Sequence, residues 1–87
     1  MRIRGLVQGV MFRESMRHEA TRLQVNGWVR NRSDGSVEAF VTGEDTPLRK
    51  IIEWCHRGPP RANVDSVSVQ DYSEDAEVFD FSRRETV

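Results

Sequence analysis

The residues best suited by type and spacing to do chemistry lie in the run Gly5-Leu6-Val7-Gln8-Gly9-Val10-Met11-Phe12-Arg13. A short β-compatible segment runs into a glycine-containing turn, and the turn opens a helix with an arginine in its first turn. A helix N-terminus carries roughly +0.5 of an elementary charge and favours carboxylates over cations. Arg13 is therefore electrostatically misplaced unless an anion sits between its guanidinium and the free N–H groups of the helix start, which already form an anion site. A phosphate or a carboxylate would fit. Glu14 offsets the charge only in part. The alternative is an Arg13 directed into solvent at a cost of a few tenths of a kcal/mol, and this segment alone does not separate the two.

Composition narrows the chemistry. The chain has 87 residues, 37% hydrophobic and 31% charged, an ordinary balance for one small domain spanning 1–87. A chain of this size buries about 60–65% of its unfolded surface, enough for a core without staples. A formal net charge of −1 argues against broad attraction to nucleic acid or a membrane surface. The cations are uneven, however: Arg2, Arg4, Arg13, Arg17, Arg22, Arg30 and Arg32 load the first third, while Glu74, Asp75, Glu77 and Asp80 make a later stretch acidic. If the early arginines converge, a small anion is attracted locally. The single Cys55 and the histidines His18 and His56 offer neither a disulfide nor a metal-ligand spacing. No signal peptide or membrane-spanning run is visible. The expectation is a cytoplasmic, monomeric protein with no cofactor and no metal.

The elements that must position Arg13 follow from periodicity. Ile3 to Val7 reads as a strand ending at Gln8-Gly9. Phe12, Met16, Ala20 and Leu23 recur at helical spacing, and Asn26-Gly27 reads as the helix stop. Trp28 to Asn31 reads as a second strand, Ser33-Asp34-Gly35 as a hairpin turn, and Val37, Ala39 and Val41 as the inner face of a third strand. A second helix is expected with Thr46 as N-cap and Pro47 first inside. Its stripe is Leu48, Ile51, Ile52 and Cys55, with Trp54 at the flank and Gly58-Pro59-Pro60 as its end. Cys55 then reads as a small core residue. Val64 to Tyr72, with Val67 and Val69 alternating, gives a fourth strand. Ser73-Glu74-Asp75 reads as a turn, and Phe79 and Phe81 alternate in a last short strand.

This βαββαβ order gives two helices on one face of a sheet, a two-layer split βαβ sandwich. A right-handed crossover makes strands one and two parallel, with strand three antiparallel between them. The turn after strand one and the end of strand two then lie at the same end of the sheet, about 10 Å apart. Arg13 from one and Asn31 from the other both reach a phosphate-sized ligand. Taken alone, Asn31 before Arg32-Ser33-Asp34-Gly35 reads as a turn residue.

Residues 5–13 resemble the first signature of the acylphosphatases. Gly27-Trp28-Val29-Arg30-Asn31, with Gly35, Val37 and Gly43 at their spacings, resembles the second. The resemblance implies an α+β, ferredoxin-like sandwich with an antiparallel sheet. It also implies hydrolysis of small-molecule acyl phosphates to a carboxylate and inorganic phosphate without a metal. By the same resemblance, Arg13 corresponds to the phosphate-binding arginine and Asn31 to the asparagine that holds the attacking water. The backbone N–H groups of Gln8, Gly9, Val10, Met11, Phe12 and Arg13 correspond to the phosphate cradle. Met11 occupies a variable position, and no role is placed on the Gln8 side chain.

The residue types agree with that chemistry. An acyl phosphate expels a carboxylate whose parent acid has a pKa near ~4, so the leaving group needs no protein acid. A planar guanidinium suits phosphate oxygens, and an amide side chain orients a water without titrating. Three bland readings stand beside these: a solvated His18, a His56 favoured by the helix dipole, and Arg30 and Arg32 as solvated strand charges. Two other functions share the element order. One is a non-catalytic phosphate- or anion-binding module of the same fold. The other is an RNA-binding domain, which should carry exposed aromatics on strands one and three; only Phe40 answers, so no nucleic-acid partner is expected.

Overall fold

The computed structural model describes residues 1–71 and 78–87. In chain order they form β1 (Arg2–Leu6), α1 (Phe12–Leu23), β2 (Asn26–Asn31), β3 (Val37–Thr42), α2 (Asp45–Arg57), β4 (Asn63–Ser68) and β5 (Phe81–Arg83). The sheet order is β4-β1-β3-β2-β5. β3 lies antiparallel between β1 and β2, so β1 and β2 run the same way and end at the same edge of the sheet. The expected two-layer α+β sandwich is present. β5 adds a feature: it runs parallel to β2, Phe81 opposite Gly27, which makes the sheet mixed.

The helical stripes assemble the core. Phe12, Met16 and Ala20 of α1 and Ile51 and Cys55 of α2 are buried against Ile3, Val29, Val37, Ala39 and Phe81 of the sheet. Cys55 Sγ lies 3.9 Å from Met16 Sδ, and burial pushes its thiol up to about 12. Trp54 packs on Phe12 with ring centroids 5.4 Å apart.

Several boundaries differ from the sequence reading, and Phe79, expected to alternate with Phe81 in the last strand, is exposed and lies ahead of β5. α1 stops at Leu23, not at Asn26-Gly27. Gln24 takes the left-handed conformation (φ 61°) and its N–H bonds back to the carbonyls of Ala20 and Thr21. Gly27 instead belongs to β2, where a Cβ would stand 1.8 Å from the Phe40 carbonyl oxygen. α2 begins at Asp45 with Glu44 as N-cap, so Thr46 is not the cap. Pro47 sits third in the helix, still among the N–H groups that have no intrahelical acceptor. β4 ends at Ser68, and its inner positions are Val64 and Val67, not Val67 and Val69. A register shift between Arg4 and Gly5 leaves Asp65 unopposed on β4, which reverses the alternation there. The strand end read at Tyr72 and the turn read at Ser73-Glu74-Asp75 lie outside the described residues. So do Glu74, Asp75 and Glu77 of the acidic stretch.

Candidate active site

The segment joining β1 to α1 is pinned by what it buries. Val7, Val10 and Phe12 are turned into the core, while Gly9 and Met11 face outward. Gly9 (φ 74°) and Met11 (φ 66°) are both left-handed, and Val10 between them is not. Alternation of this kind turns successive N–H groups toward one point, forming an anion-binding nest. Left-handed geometry at a methionine costs ~1 kcal/mol and persists only where its surroundings impose it. Met11 is also the N-cap of α1 and offers no side-chain bond to the helix start. Ser15 is the first residue of the helix whose N–H reaches back to a carbonyl, that of Met11, at 3.0 Å. The N–H groups of Phe12, Arg13 and Glu14 ahead of it are helix-start donors with no intrahelical acceptor.

Gln8 fastens this loop to the next element at the same sheet end. Its side-chain amide donates to the carbonyls of Arg32 (2.7 Å) and Ser36 (2.9 Å), both in the β2–β3 turn. That turn is braced from within. Arg32 N–H donates to Ser36 O at 2.9 Å, Gly35 N–H to Arg32 O at 3.1 Å, and the Ser36 N–H and hydroxyl both donate to Asp34 Oδ1. The turn read at Ser33-Asp34-Gly35 is therefore present.

Asn31 closes β2 on the strand side of the turn. It alternates with Val29, which is fully buried under the helices, so its side chain leaves the same face of the sheet. Its backbone is held from both sides, by register with Val37 of β3 and by Val87 N–H donating to its carbonyl at 3.2 Å. Its side-chain oxygen, Oδ1, is buried and accepts no hydrogen bond from the described residues. A buried polar atom left open in this way costs about 1–3 kcal/mol unless something arrives to bond it.

Arg13 is the second residue of α1 and is half-buried. Among the described residues no carboxylate pairs with it. Burial, and then the charge of Arg83, pull its guanidinium below its ordinary value, as for a cation short of a counter-ion. Five of the other six early arginines are taken up in ion pairs. Arg30 (2.7 Å) and Arg32 (3.1 Å) bond Glu38, and Arg2 lies 3.6 Å from both Glu38 and Asp34. Arg22 pairs with Glu19 and Arg17 with Glu14. Arg30 and Arg32 are thus half-buried ion-pair members, where the sequence suggested solvated charges. His18 is exposed as expected, and its Nε2 stands 3.3 Å from Glu14 Oε1.

Two contributors were silent in the sequence. One is the Gln8 side chain, whose acceptors lie 24 and 28 residues away. The other is Arg83, whose Nη1 reaches Glu14 Oε2 at 3.2 Å. With Arg17 foremost, and Arg83 and His18 beside it, Glu14 is held down at about 2. An open groove of about 690 Å³ flanks the loop on its far side, between Met11, Ser15, His18, Trp54 and Pro59.

The pattern of the acylphosphatase family matches residues 1–83. The chain is 48% identical over 87 residues to an acylphosphatase of Acidovorax sp. (strain JS42), covering 100% of this chain and 89% of that one. It superposes on the crystal structure of acylphosphatase from Bacillus subtilis with a TM-score of 0.91 at 34% identity, covering 95% of this chain and 92% of the other. A crystal structure of full-length HypF in the phosphate- and nucleotide-bound form matches with a TM-score of 0.83 at 29% identity. There, 98% of this chain covers 12% of that one.

Proposed function

The chain belongs to the acylphosphatase family and is an acylphosphatase enzyme, and we propose that Arg13, the Gln8–Arg13 amides and Asn31 carry its chemistry. In this reading the amides of Gln8, Gly9, Val10, Met11, Phe12 and Arg13 and the fork of Arg13 hold the phosphoryl group. Asn31 holds the nucleophilic water in line with the bond to be broken. Its Oδ1 accepts a hydrogen bond from that water and leaves an oxygen lone pair directed at phosphorus.

Attack forms the new P–O bond as the bond to the carboxyl oxygen breaks, and the electron pair leaves on the carboxylate. That leaving group is stable at neutral pH, so no protein acid need protonate it. The water proton passes to a phosphate oxygen, which spares the enzyme a titrating base. Negative charge spreads over the equatorial phosphoryl oxygens of a loose transition state, where fixed N–H donors and a guanidinium have most effect. Holding water and phosphoryl group together supplies the remainder. The single observation that carries this assignment is the buried, open Asn31 Oδ1 beside a turn that Gln8 ties to the anion nest.

The test is hydrolysis of a simple aryl acyl phosphate, followed in the ultraviolet with EDTA present. Arg13→Ala is expected to lower kcat/KM by about 10²-fold or more, the usual effect of losing a transition-state donor. Asn31→Ala is expected to lower kcat while inorganic phosphate still inhibits competitively. Near-wild-type turnover by both variants would overturn the assignment. A non-catalytic anion module would show tight phosphate binding without turnover.

A further inference from the structure

Arg83 stands where a core side chain would be expected. β5 pairs in parallel with β2, Phe81 opposite Gly27 and Arg83 opposite Val29. Residues paired in a parallel register project to the same face, and Val29 and Phe81 are both buried beneath the helices. Arg83 is thus the next inward-facing position after Phe81, at the sheet end where Asn31 follows Val29 by two residues. A purely structural need beside Val29 would be met by an aliphatic side chain. The guanidinium instead extends over the sheet end to the first turn of α1, where it meets Glu14 at 3.2 Å.

Glu14 does not neutralise it. The same carboxylate already bonds Arg17 Nη2 at 2.5 Å and faces His18 at 3.3 Å. One negative charge is therefore shared between two guanidiniums. Arg13, the neighbour of Glu14 in the chain, has no carboxylate of its own among the described residues. Arg84, just past the end of β5, is turned to the opposite face, its guanidinium 4.9 Å from the Trp28 ring. Two guanidiniums from different elements, Arg13 and Arg83, consequently border one end of the sheet, and their side chains retain access to solvent.

A single phosphoryl group held by Arg13 and the loop amides leaves the charge of Arg83 over. We propose that Arg83 binds a second anionic group on the substrate, so that this enzyme favours acyl phosphates whose acyl portion carries its own carboxylate or phosphate. The proposal rests on the site reading above. Glu14 acts in it as a positioning residue, holding Arg83 over the sheet end so that little side-chain freedom is lost when the anion arrives.

The experiment compares two acyl phosphates of equal chain length, one ending in a methyl group and one in a carboxylate, at low ionic strength. Wild type is expected to show the higher kcat/KM on the carboxylate-bearing substrate. Arg83→Gln is expected to shrink that preference by about tenfold, the scale of one charge-assisted hydrogen bond. The loss should appear in KM for the charged substrate, and Arg83→Lys should restore part of it. The wild-type preference should also fall with added salt. An unchanged ratio in Arg83→Gln, or an equal fall on both substrates, overturns the proposal and leaves Arg83 a brace between β5 and α1. Failure of the site reading has a different signature: Arg13→Ala would then turn over both substrates normally, whatever happens at position 83.

Discussion

Replacing Gln8 by glutamate exchanges one NH₂ group for an oxygen and leaves the size of the side chain almost unchanged. The geometry makes the consequence large. Gln8 Nε2 donates to two carbonyls, Arg32 O at 2.7 Å and Ser36 O at 2.9 Å, so this amide has only one sensible orientation. An ionised carboxylate cannot donate, and would bring a third oxygen against those two. Each net hydrogen bond contributes about 1 kcal/mol. Both carbonyls keep a second donor within the turn, Gly35 N–H on Arg32 O and Arg32 N–H on Ser36 O, so neither is stranded. Gln8→Ala should accordingly cost about 1–2 kcal/mol. Gln8→Glu should cost more, about 2–3 kcal/mol, because oxygen–oxygen repulsion adds to the two lost bonds. At about 4–8 °C per kcal/mol, the Tm of Gln8→Glu should fall by roughly 8–24 °C at neutral pH.

The pH dependence separates charge from packing. A glutamic acid facing two carbonyls is stabilised protonated, so its folded-state pKa lies above its unfolded value. The variant's deficit is therefore greatest above the folded pKa and shrinks as pH falls, when the protonated acid regains one donor. Thermal unfolding of wild type, Gln8→Ala and Gln8→Glu at neutral pH and near pH ~4 measures this directly. Activity should fall with stability in Gln8→Glu, since a nest no longer fixed to the Asn31 turn loses the alignment of water and phosphoryl group. A Gln8→Glu protein with wild-type Tm at neutral pH, or one whose deficit grows on acidification, would refute the reasoning.

Three further outcomes follow from other parts of the molecule. Glu14 is held at about 2 against an ordinary 4.5, so the stability it contributes is complete above the ordinary value and lost as pH falls toward 2; acid unfolding of Glu14→Gln should be less steep than that of wild type across this window. Cys55 is fully buried with its thiol raised to about 12, so a thiol reagent at pH ~8 should label native protein only as fast as it opens, and denatured protein at once. Gly27→Ala would set a Cβ 1.8 Å from the Phe40 carbonyl at φ 146°, forcing β2 off β3; a loss of more than about 3 kcal/mol in denaturant unfolding is expected, and a smaller one would mean that the strands part easily.

The fold was legible wherever a pattern is local. The α1 stripe of Phe12, Met16 and Ala20 is set by a spacing of four residues, and the structure buries each of them. Boundaries were less legible because they depend on partners distant in sequence. Asn26-Gly27 carries the composition of a helix stop, yet the glycine is required by the close approach of Phe40 across the sheet, and a glutamine ends the helix. Val69 alternates with Val67 in sequence, but β4 ends at Ser68 before reaching it, and the bulge opposite Gly5 places Val64 inward, which no rule of period two detects. At the site, Arg13 was legible as a cation at the wrong end of a helix. Gln8 was not, since nothing in its neighbours announces carbonyls on a distant turn. Arg83 was hidden by the place of β5, which the sequence did not settle.

Charge pairing explains how a chain of net charge −1 can present a cationic site. The arginines of the first third would, if free, attract anions over the whole surface. Glu38 instead gathers Arg30 and Arg32 with Arg2 beside them, Glu19 takes Arg22, and Glu14 takes Arg17. What survives is set by the sheet topology. β1 and β2 run parallel with β3 between them, so the start of α1 and the end of β2 meet at one edge. β5, parallel to β2, ends at that same edge and adds Arg83. Long-range attraction is thus low, and an anion would feel Arg13 and Arg83 only within a Debye length of about 8–10 Å. A substrate would be recognised by the few donors that converge there. Salt should accordingly weaken binding only modestly, and should act chiefly through whichever anionic group lies farthest from the buried amides.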